Sequence, residues 1–320
     1  MIQTKNFTYD SRDGMTKIHA MQWEPAEEAL VDGKPVCIVQ IVHGMTEHIG
    51  RYDDFAGFLA DKGILVVGND HLGHGESLSS NGLYGYFCEN DPATVVVRDV
   101  HRLKKLTQEN NPGVPYIILA HSMGSYILRN YLVKYGTGID GAILLGTGFV
   151  SKPSVNAAVM ISKLFCLLGK GKSYIDFFHK AVFGKYLSRI DNPQTQKDWL
   201  TKDRAIIEQY LADQKCQFHF TVNGYYTLSI LVKRAQDEKA WEKIPKKLPI
   251  LIAAGTQDPV GNWGEGPQKL YDAFINLDMT RTQLKLYNGD RHEILNEVDR
   301  ETVYVDLYNW IQGVLDRIAV

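Results

Sequence analysis

Tyr116-Ile117-Ile118-Leu119-Ala120-His121-Ser122-Met123-Gly124-Ser125-Tyr126-Ile127-Leu128 is the stretch whose reading decides the fold. An apolar, β-branched run passes without a spacer into residues of helical periodicity, and a serine occupies the turn. A strand that feeds a helix this abruptly needs small residues beside the turn, because the two elements approach closely there. Ala120 and Gly124 supply them, giving AxSxG, a variant of the GxSxG turn that holds a serine in a strained backbone conformation. Such a turn lifts the hydroxyl clear of the sheet and sets it at a helix amino terminus, where developing negative charge is favoured. Ser122 alone could be a plain helix cap; the strand-then-helix context favours a nucleophile.

Working outward, similar apolar runs recur at Val36–Val42, Ile64–Gly68, Gly141–Leu145, Pro249–Ala254 and Gln283–Tyr287. They lack clean alternation, as expected of strands buried on both faces of a parallel sheet. Stretches of three-to-four apolar spacing lie between most of them, at Tyr52–Lys62, Val95–Asn110, Ser125–Tyr135 and Tyr304–Ile318. A hairpin opens the chain, Phe7–Ser11 and Lys17–Trp23 around Arg12-Asp13-Gly14. The pattern predicts an α/β fold, a mostly parallel eight-stranded sheet flanked by helices. Between about Thr147 and Asn223 the alternation stops and strongly apolar helical segments take over. We expect a core formed by residues 1–148 and 224–320, interrupted by a helical cap at 149–223.

A serine hydroxyl needs a histidine to take its proton and a carboxylate to orient that histidine. Two late strands each run into a loop carrying one candidate, Asp258 in Gly255-Thr256-Gln257-Asp258 and His292 in Gly289-Asp290-Arg291-His292. The order Ser, Asp, His suits this fold. Asp290 is a competing acid but sits only two residues from His292. Two backbone amides should hold the oxyanion: Met123, after the serine, and Met45, in the loop His43-Gly44-Met45-Thr46-Glu47-His48, where Gly44 permits the turn. His121 reads as a packed or hydrogen-bonded neighbour of the nucleophile.

Three segments then agree: His43–Tyr52, Asp70-His71-Leu72-Gly73-His74-Gly75-Glu76-Ser77, and Ala120–Gly124. Over both core halves the chain resembles the monoacylglycerol lipase and lysophospholipase branch of the α/β-hydrolase fold, a group that includes serine aminopeptidase-type hydrolases. The resemblance implies a triad of Ser122, Asp258 and His292, an oxyanion hole at Met45 and Met123, and a substrate-binding set that includes Gly44, Glu47, Arg51 and His121. Glu47 and Arg51 match positions near the alcohol-binding end in those lipases, or else form a structural ion pair. Two departures are Ala120 for the first elbow glycine and the bulkier Met45.

The remaining features exclude other classes. A net charge of −2 and the absence of a basic, aromatic-interleaved patch argue against nucleic acid. Asp70, His71 and His74 lie in a glycine-rich loop without further ligands at suitable spacing, so no metal is expected. Gly171-Lys172-Ser173 lacks the earlier glycine of a phosphate loop, where Cys166 stands, and Gly146-Thr147-Gly148 lacks the third glycine of a dinucleotide site. No cofactor is implied. The start Met1–Asn6 has no signal-peptide core, and scattered Cys37, Cys88, Cys166 and Cys216 suggest free thiols in the cytoplasm. The expected substrate is a small-molecule ester with an apolar acyl chain, and any membrane contact would be peripheral, through the cap. An aminopeptidase using Glu47 or Glu76, a carbon–carbon bond hydrolase and a non-catalytic binding protein are the alternatives.

Overall fold

The computed structural model describes residues 3–78 and 82–318; Met1-Ile2 and residues 319–320, which end the expected core segments, lie outside it. β1 (Gln3–Asp10) and β2 (Lys17–Glu24) form the hairpin, its turn closed by Asp13, whose Oδ1 accepts the amides of Met15 and Thr16 at 2.8 Å each. β3 (Cys37–Val42), β4 (Ile64–Asn69), β5 (Tyr116–His121), β6 (Gly141–Leu145), β7 (Ile250–Gly255) and β8 (Thr282–Tyr287) complete an eight-stranded sheet of order β1-β2-β4-β3-β5-β6-β7-β8. β2 meets β4 antiparallel, and every later pair is parallel.

The unbroken apolar runs follow from burial on both faces. In β3, Ile38 and Val42 join one core cluster while Cys37, Val39 and Ile41 join the other. The first cluster includes side chains of α2 (Pro92–Asn110), α3 (Met123–Tyr135) and α9 (Glu265–Ile275). The second is covered by α1 (Asp53–Ala60) and α10 (Arg300–Ile318) through Phe55, Leu59, Leu307 and Ile311. β8 departs from the expectation of a buried strand. It is the sheet edge, with Gln283, Lys285 and Leu286 exposed, because no further strand pairs beyond it.

The insertion carries α4 (Lys152–Phe165), which runs into a π turn at Cys166–Lys170, then α5 (Asp176–Phe183) and α6 (Arg204–Ala212). α7 (Val222–Ala235) begins two residues before the expected return to the core and packs on both α4 and α3; α8 (Glu238–Trp241) follows. The stretch 184–203 is not helical, contrary to the expectation for the cap. It is a run of turns organised by Asp198, which accepts the amides of Gln194 and Thr195 and pairs with Arg204. That stretch crosses the sheet end and is tied to the loop after β8 by Arg291 Nη1 donating to the Asp198 carbonyl (2.6 Å) and Glu293 N donating to the Leu200 carbonyl (2.7 Å). Because β3 to β8 are parallel, the loops after β3, β5, β7 and β8 emerge on one edge under this cover.

Candidate active site

Ser122 stands between β5 and α3 at φ 52° and ψ −119°, a region that side-chain-bearing residues seldom occupy. Its amide donates to the Leu145 carbonyl at 3.0 Å, and its own carbonyl accepts the Ser125 hydroxyl at 2.6 Å, which anchors the strain on both sides. Gly124 is obligatory: a Cβ there would lie 2.1 Å from the carbonyl oxygen of Val42. Ala120 is fully buried between β3 and β6, where a methyl group fits. Met123 opens α3, so its amide has no helical acceptor four residues back.

The loop after β3 lies directly on this elbow. A Cβ on Gly44 would meet Ser122 Cβ at 3.0 Å and a Glu47 carboxylate oxygen at 2.6 Å, so only glycine fits. Met45 follows and lines the same cavity as Ser122 and Met123.

Asp258 and His292 come together from the loops after β7 and β8. These loops approach closely because Gly255 has no side chain; a Cβ there would lie 2.1 Å from the Asp290 carbonyl oxygen. Nδ1 of His292 lies 2.9 Å from Oδ1 of Asp258, close enough for an ion pair, although the ring orientation leaves Nδ1 without a well-aligned hydrogen bond. A small ring rotation would straighten the contact. Both residues are buried, and Oδ1 of Asp258 also accepts the Val260 amide at 2.8 Å. Asp290 faces away, with Oδ1 held by Lys202 at 3.0 Å. Gly146 leaves room for the His292 ring, whose Cε1 would be 3.0 Å from a Cβ at that position.

Glu47 and Arg51 belong to a buried ionic network rather than standing free. Glu47 accepts the Gly44 amide, the Tyr52 hydroxyl (3.0 Å) and Arg51 Nη1 (3.0 Å), and its Oε1 lies 3.1 Å from His121 Nδ1. Arg51 also clasps Glu293 with two hydrogen bonds of 2.8 Å. The other ring nitrogen of His121 lies 3.3 Å from the His292 carbonyl oxygen. Burial alone would raise the Glu47 carboxyl, but His121 and Arg51 hold it well below the usual range. Burial likewise opposes charge on His121, yet Glu47 raises its pKa. Glu293, which the sequence reading missed, is 242 residues from Arg51 and carried no local signal. Glu47, His121 and Glu293 line the cavity; Gly44 and Arg51 stand behind it.

His71 and His74 pack with His43 beneath the site, with ring centroids 4.1 and 5.3 Å from that of His43. Asp70 accepts the amides of Ile49 and Glu76 and lies 2.8 Å from His19 Nδ1, so it organises loops.

The cavity has a volume of 470 Å³. Away from Ser122, His292, His121, Glu47 and Glu293 its walls are mostly apolar, supplied by the cap through Val155, Ile161, Phe178 and Val182 and by α7 through Tyr225 and Val232. Trp199 covers the His292 ring at 5.1 Å between centroids.

The family model described as Serine aminopeptidase, S33 (Hydrolase_4) matches residues 33–299. The chain belongs to this family. Within Hydrolase_4 it is an α/β-hydrolase of the monoacylglycerol lipase-like branch. It is 27% identical to a monoacylglycerol lipase of Mycolicibacterium smegmatis, over 88% of this chain and 89% of that one. It is equally identical to the monoglyceride lipase of Rattus norvegicus, over 93% of this chain and 86% of the relative. The crystal structure of a thermostable carboxyl esterase from Bacillus coagulans superposes with a TM-score of 0.88 at 30% identity, covering 98% of this chain and all of the other.

Proposed function

We propose that this Hydrolase_4 member hydrolyses single-chain carboxylic esters of neutral alcohols, of the monoacylglycerol type, through an acyl-enzyme on Ser122. His292 removes the serine proton as the hydroxyl attacks the ester carbonyl, and Asp258 holds the ring and balances its charge. The amides of Met45 and Met123 receive the oxyanion. His292 then protonates the leaving alcohol, and water, deprotonated by the same ring, releases the fatty acid.

The cavity carries this reading. An apolar cavity wall suits an acyl chain, each buried methylene contributing about 0.8 kcal/mol. None of the residues that line the cavity is lysine or arginine, while Glu47 and Glu293 contribute carboxylates. The neighbouring Arg51 is already held by both of them. Among the described residues the nearest unpaired cation is Lys197, which stands over the rings of Phe183 and Tyr210 at 5.9 and 5.1 Å rather than lining the cavity itself, and this lining favours a neutral glycerol over the lysophospholipid alternative. The same pairing weighs against an aminopeptidase: Glu47 is occupied and Glu76 is exposed and bound to Lys215, so neither is free for a substrate ammonium.

Outside the cavity, the cap exposes Met160, Leu164, Leu167, Leu168 and Tyr174, with Lys163, Lys170 and Lys172 also exposed among them. This face supports peripheral contact with a lipid surface; among the described residues no helix is long and apolar enough to cross a membrane. The four cysteines are unpaired, which supports a cytoplasmic setting.

The test compares lipids of one acyl chain and different heads, alongside nitrophenyl esters of increasing length. The reading expects monoacylglycerol to outpace lysophosphatidic acid and lysophosphatidylcholine, and longer chains to outpace acetate. Preference for a phosphorylated head overturns the head assignment; preference for acetate overturns the lipid assignment; turnover of peptide amides without ester preference selects an aminopeptidase.

A further inference from the structure

Three side chains outside the serine chemistry converge where the cap meets the loop after β3. His48 Nε2 lies 2.7 Å from Asp213 Oδ2, and the Cys216 sulfur completes a group whose ligand atoms all lie within 4.8 Å of one another. Asp213 follows α6 and caps the 3-10 turn Gln214–Cys216, its Oδ1 accepting the Lys215 amide at 2.9 Å. One rigid turn therefore presents a carboxylate and a thiol three residues apart, the spacing by which short Cys-x-x-Cys loops chelate zinc. His48 arrives from the opposite side of the seam.

We propose that His48, Asp213 and Cys216 form a site for a thiophilic divalent cation, zinc foremost, that joins the cap to the oxyanion loop. Imidazole nitrogen, carboxylate oxygen and thiolate sulfur are donors that zinc accepts together, with water as the fourth ligand of a tetrahedron. The side chains of His48 and Asp213 are 16% and 32% exposed, which provides an entry path and room for that water. Cys216 lies beneath them, almost fully buried. As the zinc–sulfur bond forms, the Cys216 thiol releases its proton to solvent, and His48 binds as neutral imidazole, exchanging its contact with Asp213 for the metal. Burial raises the Cys216 thiol, a cost that coordination reverses. Two of the nearby cations are already neutralised, Lys215 by Glu76 and Arg51 by Glu47 and Glu293, while Lys197 stands over the Tyr210 ring at 5.1 Å. A bound ion would fasten the turn after α6 to the loop that carries Met45, restraining the cap over the cavity.

Cobalt titration of the full chain tests this, since a thiolate ligand gives an intense near-ultraviolet charge-transfer band. The proposal expects a saturable band at one equivalent, and zinc raising Tm by a few degrees. Both should vanish in Cys216→Ser and in His48→Asn, each checked for native circular dichroism, and persist in Cys166→Ser, which removes the more accessible thiol. Absence of the band in wild type at saturating cobalt, or an unchanged band in Cys216→Ser, overturns the proposal.

Discussion

Arg51 clasps Glu293, the residue directly after His292, through two hydrogen bonds of 2.8 Å, and so links the loop after β3 to the loop after β8. Glu47 extends the link to Gly44 and His121. Three loops from three strands are thereby held in one register by buried charge.

Breaking that clasp on one side should be costly. Glu293→Ala leaves Arg51 with one carboxylate in a buried site, and we expect a loss of about 3–5 kcal/mol in urea denaturation. The double variant Arg51→Met/Glu293→Met removes both charges at similar volume and should recover most of that stability. It should nevertheless show lower kcat than wild type, because the His292 loop has lost its tether to the loop after β3. Wild-type kcat in the double variant would reduce the clasp to a structural pair.

The two acids near His292 should separate sharply. Asp258→Asn keeps the shape but offers His292 the wrong partner, and kcat should fall by about 10⁴-fold. Asp290→Asn removes only the contact with Lys202 and should leave kcat within a few-fold of wild type. Steady-state kinetics on a single nitrophenyl ester decides between them.

Acid should destabilise the protein from about pH 6.5 downward. Burial drives His71 to about 4 and His74 to about 3, and holds His43 well below its ordinary 6.5. These groups are neutral in both folded and unfolded chains above pH 6.5, so their contribution is complete there. Below it the unfolded chain takes up protons that the folded one refuses, and stability falls until the folded values are passed. Glu47, depressed in the fold, adds to the loss below its ordinary 4.5. Thermal melts across pH 4 to 8 should show this decline, and His74→Phe should flatten it.

The elbow's two small residues should behave unequally. Gly124→Ala forces a Cβ against the Val42 carbonyl and should cost at least about 1–3 kcal/mol together with most of the activity. Ala120→Gly restores the commoner motif and should retain activity. Circular dichroism melts and ester turnover on both variants check the contrast.

The placement of the candidate residues in the fold is legible where local signals carry it. The apolar run of β5 with its small-residue turn marks Ser122, and the loops after β7 and β8 carry Asp258 and His292 at their expected strand ends. Choosing Asp258 over Asp290 as the partner of His292 needed only their spacing. What escaped reading depends on contacts distant in sequence. Glu293 and Arg51 stand 242 residues apart, and His48 and Asp213 stand 165 apart. The stretch 184–203 escaped because turns held by Asp198 and Arg291 have no period. β8 read as buried because the pattern of Thr282–Tyr287 does not reveal that it is an edge strand.

The central claim is that Ser122 is activated by His292 within one site, and fluorophosphonate labelling measures this most directly. Wild type should carry the label on the peptide containing Ser122, Ser122→Ala should take none, and His292→Ala should label at least about 10²-fold more slowly, all three with native circular dichroism. Equal labelling of wild type and Ser122→Ala, or a wild-type rate in His292→Ala, would contradict the account.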